Sequence, residues 1–98
     1  MSVVVTNQLH FDVPVETLVA DIDHEFRAAF AGCSGFERFY LVQTAPDRAT
    51  AVIVWATAED AQAGAAVIGP SVFATLIAPH LASEQDRAVG PVVVSIDS

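Results

Sequence analysis

"AVIVWATAED", residues 51–60, changes its period in mid-stretch. Up to Trp55 it is dominated by β-branched residues and reads as a strand. From Thr57 onward it reads as the start of a helix, "AEDAQAGAAVI" (58–68), with Asp60 three residues after Thr57 in the spacing of a capping box. A strand that closes on the chain's only tryptophan and passes directly into an alanine-rich helix puts the indole at a sheet–helix junction. The small side chains of that helix let it lie close to whatever it covers.

Working outward, "FERFYLVQT" (36–44) is a second strand, and "APDRA" (45–49) supplies the turn formers Pro46 and Asp47. So short a connection makes residues 36–44 and 50–56 an antiparallel hairpin. Upstream, "VVVTNQLHF" (3–11) is a strand with Val3, Val5, Asn7 and Leu9 on one face. Residues 12–30 follow as a helix with Pro14 in its first turn and an apolar stripe that includes Leu18, Ile22, Phe26 and Phe30. "AGCSG" ends it. Downstream, "GPS" (69–71) breaks the second helix, Ser71 caps a short further helix over 72–78, and Pro79 stops that one. "SEQDRAVG" (83–90) is a polar connection, and "PVVVSI" (91–96) is the last strand.

The order β-α-β-β-α-(α)-β over residues 1–98 predicts one α+β domain: a four-stranded antiparallel sheet with both crossovers on one face, the ferredoxin-like arrangement. Helices then cover only one side of the sheet, although the strands are apolar on both. The chain is 53% hydrophobic and only 16% charged, against about 25% charged in ordinary soluble domains. A 98-residue core does not absorb that excess. No run approaches the roughly 20 apolar residues of a membrane span, and no secretory signal opens the chain. The expected outlet is a second copy: an isologous homodimer packed through the open sheet face, each partner hiding about 800 Å².

Charge excludes further classes. The net charge is −8 with four arginines and no lysine, which leaves no basic stripe for nucleic acid and no amine for Schiff-base chemistry. The single cysteine, Cys33, rules out an intrachain disulfide or a thiolate zinc cluster and suits a reducing cytoplasm. His24 with Asp21 and Glu25 has helical metal-ligand spacing but belongs to a solvated acidic face. His10 and Asp12 flank Phe11 and are placed to pair.

The polar Asn7 in "VVVTNQL", the glycine-led strand "GFERFYLVQ", and above all "VIVWATAEDA" resemble the dimeric α/β-barrel superfamily, and within it the antibiotic-biosynthesis-monooxygenase-like (ABM-like) proteins. The resemblance spans nearly the whole chain in element order. It implies a pocket between the sheet and the helices of each subunit, lined here by Asn7, Phe26, Phe30, Trp55, Phe73 and Leu76. It also implies a cofactor-independent monooxygenase acting on a small aromatic or quinol-like substrate. In that reading Asn7 orients a substrate oxygen, Trp55 stacks, and His80 or Tyr40 moves the proton. Which strand face carries Tyr40 and Arg38 is left open by the alternation. The haem-degrading branch also places a tryptophan in the second helix and a histidine after it. Here those positions fall near Gln62 and Ile77, so no cofactor is expected. The alternative is a non-catalytic dimeric protein that binds a small apolar ligand, because an asparagine on an apolar face needs a partner or a pocket and no activated nucleophile is visible.

Overall fold

A computed structural model describes residues 1–98. Strands β1 (Val3–His10), β2 (Phe36–Ala45), β3 (Arg48–Trp55) and β4 (Asp86–Pro91) form one antiparallel sheet in the order β2-β3-β1-β4. Helices α1 (Val19–Ala31) and α2 (Ala58–Ile68) are the two crossovers. This is the ferredoxin-like α+β fold.

Strand alternation decides the two faces. Val3, Val5, Asn7 and Leu9 of β1 lie opposite Trp55, Ile53, Ala51 and Ala49 of β3, and this is the helix-covered side, where all but Ile53 are buried. The opposite face carries Val4, Thr6, Val52, Val54, Tyr40 and Val42. None of these is buried, and Tyr40 and Val42 are each 48% exposed.

The core is knit by aromatic rings. Phe30 stacks on Phe36 with centroids 4.3 Å apart, and both meet Trp55 edge-on at 5.9 and 5.8 Å. Phe26 stacks on Phe39 at 5.5 Å. Such contacts add about 1 kcal/mol each beyond the area they bury.

Local chemistry fixes the ends of α2. Thr57 is its N-cap, and its hydroxyl accepts the backbone N–H of Asp60 at 3.1 Å. The Asp60 side chain then folds over Gly35, whose φ of +74° needs a residue without Cβ.

Several expected boundaries are corrected. The first helix does not begin at residue 12: Val15–Thr17 is a 3-10 turn and α1 starts at Val19. Strands β2 and β3 extend inward until only Pro46 and Asp47 form the turn. "GPS" does not break the helix. Gly69–Ile77 continues from α2 as a π-helix, its widened turns spanning five residues, as in the bond from Ala78 N–H to Phe73 C=O. Pro70 has no N–H to give and its ring crowds the preceding turn, and widening relieves both problems. Ser71 donates back to the Val67 carbonyl instead of capping a new helix.

The helical run Ala58–His80 is therefore 23 residues long, and its most apolar 18-residue stretch has a mean hydropathy of 1.5, enough by length and composition alone to cross a membrane. Core helices of globular folds share that length and composition. Here Ala61, Gly64, Ile68 and Ile77 are buried.

The last strand is also misplaced by the sequence. β4 is "DRAVGP", and the valine run lies beyond it. The reason is geometric. A bridge between Phe11 and Leu81 delivers the chain to the far end of β1, so the next residues pair first, Asp86 with Gln8 through Pro91 with Val3. By Val92, whose N–H reaches the Ser2 carbonyl at 2.8 Å, β1 is used up. Val93, Val94 and Ile96 are left 81%, 72% and 88% exposed.

Candidate functional site

Between the sheet and the α2 run lies an apolar cavity of about 130 Å³. Its floor is the helix-side row of the strands: Val5, Asn7, Ala51, Ile53, Trp55 and Phe39. Its roof is Ala61, Gly64, Ile68, Phe73 and Ile77, with Phe26 at the side. The roof is thin where Gly64 meets the indole: a Cβ there would fall inside the contact distance of the ring carbons Cη2, Cζ2 and Cζ3. Trp55 is 1% exposed, so the ring is a fixed wall. The volume matches one aromatic ring, since an engineered apolar cavity of about 150 Å³ holds benzene.

The polar groups gather at the β4 side. Asn7 is 8% exposed, and its Oδ1 is buried with no hydrogen-bond partner. Gln85 also lines the cavity, and its Oε1 is likewise buried and unpartnered. Arg87 sits directly opposite Asn7 in the β1–β4 register, on the same face. It is exposed, and no acidic side chain pairs with it. Arg87 is the only ionisable residue in the lining.

The expected site residues separate accordingly. Asn7, Phe26, Trp55 and Phe73 line the cavity. Phe30 and Leu76 do not: Phe30 is buried behind Trp55 in the aromatic stack, and Leu76 packs half-buried against the core. The two residues expected to move the proton, Tyr40 and His80, lie outside the cavity lining. Tyr40 is on the open face, paired in register with Val52, and its hydroxyl accepts a hydrogen bond from Arg38 at 3.1 Å. That bond pushes the already cationic Arg38 guanidinium further up in pKa. His80 closes the last 3-10 turn outside the lining, its Nδ1 3.9 Å from Asp12. His10 pairs with Asp47 at 3.1 Å and not with Asp12.

Sequence reasoning missed Gln85 and Arg87 because it assigned "SEQDRAVG" to a connection. Once residues 86–91 are the strand beside β1, Arg87 pairs with Asn7 on the cavity face, and Gln85 enters the lining just ahead of the strand.

A second, larger groove of about 700 Å³ runs between α1 and β2. Two of its arginines are engaged, Arg27 with Asp23 and Arg38 with Tyr40, and it holds no orphaned buried polar atom. No group of three or more histidine, cysteine or acidic side chains is placed to hold a metal. No histidine, cysteine or tyrosine lines the cavity to ligate a haem iron, so the residues present do not fit that group.

The fold is that of the ABM-like proteins of the dimeric α/β-barrel superfamily. SnoaB, a cofactor-independent oxygenase from Streptomyces nogalater, superposes with a TM-score of 0.79 at 16% identity, over 99% of this chain and 98% of that one. A putative antibiotic biosynthesis monooxygenase from Bordetella bronchiseptica gives 0.77 at 16% identity, over 95% and 98%. The ActVA-Orf6 monooxygenase of Streptomyces coelicolor, solved with nanaomycin D, gives 0.72 at 14% identity, over 99% and 93%. No family model and no curated protein sequence matches the chain.

Proposed function

We propose that the protein is a cofactor-independent monooxygenase whose substrate is a small aromatic or quinol-like molecule bound in the cavity beside Trp55. The observation that carries this reading is Asn7, a nearly buried carboxamide whose oxygen has no partner in an otherwise apolar chamber. Leaving such a group unmatched costs about 1–3 kcal/mol, which a bound hydroxyl would offset. The likeness to SnoaB and ActVA-Orf6 supports the reaction class. In this reading Trp55 stacks against the ring, Asn7 orients one substrate oxygen, and the substrate itself supplies the electrons. A ring C–H of the quinol, with O2, becomes C–OH on a quinone, with water: a C–O bond forms, the C–H and O–O bonds break, and oxidation of the quinol to the quinone supplies the other two electrons. Oxygen uptake with single-ring quinol substrates tests it, with isotope-labelled dioxygen to trace the oxygen added to the ring. Uptake no faster than in buffer sinks the oxygenase reading.

A second reading, a non-catalytic binding protein for a small apolar ligand, is favoured by one feature: no acid–base pair faces the cavity. Native mass spectrometry of fresh protein showing retained ligand without turnover would select it.

Both readings include two copies joined through the open sheet face in the cytoplasm. Val4, Val52 and Val54 on that face, and the bare Val93 and Val94 beyond β4, support the pairing. A single 10.3 kDa species in ultracentrifugation at low micromolar concentration would exclude it.

A further inference from the structure

We infer that Arg87 selects the ionised form of the ligand, so that the molecule taken up is a single-ring phenol or enol held as its anion. The inference rests on the cavity being the binding site and goes beyond it by naming the ligand's charge state and the residue that sets it.

Three observations converge. First, Arg87 stands opposite Asn7 across the β1–β4 pair, on the cavity side, with no carboxylate partner. Two of the other three arginines are engaged, Arg27 by Asp23 and Arg38 by Tyr40. On a chain of net charge −8, an unpaired guanidinium at the mouth of an apolar chamber is a local exception to the field around it. Second, the lining holds no group able to take a proton at neutral pH: no Asp, Glu, His, Cys or Tyr. A ligand that must react as an anion therefore loses its proton to water. The O–H bond breaks, its electron pair stays on the oxygen, and the proton passes to solvent at the mouth. Third, the volume of about 130 Å³ accepts one ring and leaves its substituent near Asn7, Gln85 and Arg87. The two carboxamides offer hydrogen bonds and Arg87 offers charge. A guanidinium beside an oxyanion forms a charge-assisted bond that a neutral hydroxyl cannot match.

The test uses 4-nitrophenol, whose anion alone is yellow. It is mixed with the intact protein in buffer set at the ligand's own pKa, and binding is measured in parallel by calorimetry. Selection of the anion predicts that the yellow colour deepens as protein is added. The bound ligand's apparent pKa should fall by about one unit, a roughly tenfold preference for phenolate. Arg87→Gln, a change at an exposed side chain, should abolish the deepening and weaken calorimetric binding at this pH about fivefold, as only the neutral form's affinity remains. Arg87→Lys, which keeps the charge but not the fork, should retain part of it. Calorimetric binding with no deepening, or deepening that survives Arg87→Gln, overturns the inference and leaves the cavity reading intact. If neither 4-nitrophenol nor neutral nitrobenzene binds the wild-type protein, the cavity is not a ligand site, and this inference and the proposed function both fall.

Discussion

Gly64→Ala tests the contact on which the cavity wall depends. In an ordinary helix interior the change is favourable by about 1 kcal/mol, because alanine restricts the unfolded chain and suits the helix. Here the added methyl would meet the Trp55 indole, with Cζ3 at 2.8 Å and two further ring carbons nearer still. The indole cannot retreat, being 1% exposed and held edge-on by Phe30 and Phe36. Forcing a methyl into so tight a contact costs about 1–3 kcal/mol, and the rigid ring places this site toward the upper end. The net expectation is a loss of about 1–2 kcal/mol. At roughly 4–8 °C per kcal/mol for a domain of this size, that is a drop of about 5–15 °C in Tm. Gly69→Ala is the control. It lies five residues along the same helical run, and nothing stands within 4 Å of its added Cβ. It should therefore raise Tm by no more than the propensity gain. Thermal melts followed by far-ultraviolet circular dichroism measure both, and tryptophan fluorescence reports whether the ring moves. If Gly64→Ala melted as high as Gly69→Ala, with an unchanged emission spectrum, the close seating of α2 on Trp55 would be wrong.

Asn7→Leu should hold or raise stability by up to about 1 kcal/mol, because it removes an unmatched buried amide, while ligand binding by calorimetry is lost. Thr57→Ala removes the hydroxyl that accepts the Asp60 N–H and should cost about 1 kcal/mol in urea unfolding, with the m-value unchanged. Val52→Glu places a charge on the open face without touching the cavity, and it should convert a dimer to monomers in sedimentation while the circular dichroism spectrum stays the same.

The hairpin, the Thr57 cap and the Trp55 junction were legible in the sequence because each rests on neighbours within a few residues. Asn7 was legible because it interrupts an alternating apolar row. The failures share a cause, which is that contacts distant in sequence overrule local preference. Valines 92–94 are better strand formers than "DRAVGP", yet the latter pairs because the Phe11–Leu81 bridge delivers it first to the free edge of β1. Pro70 reads as a helix breaker, yet packing of Ile68 and Ile77 on the core keeps the run helical with widened turns. The polar end of the cavity was hidden by the same displacement, since Arg87 gains a common face with Asn7, and Gln85 a place beside it, only when residues 86–91 become a strand.

The bond from the Val92 N–H to the Ser2 carbonyl brings residues 2 and 92 side by side at one corner of the sheet. A few flexible residues could join them, and the backbone could be opened instead at Ser83, in the exposed bend before β4. In such a circular permutant β4 and β1 become a hairpin of near neighbours, where the natural order separates them by most of the chain. The average loop closed during folding shortens, so the permuted protein should fold faster than its parent while keeping the same native sheet.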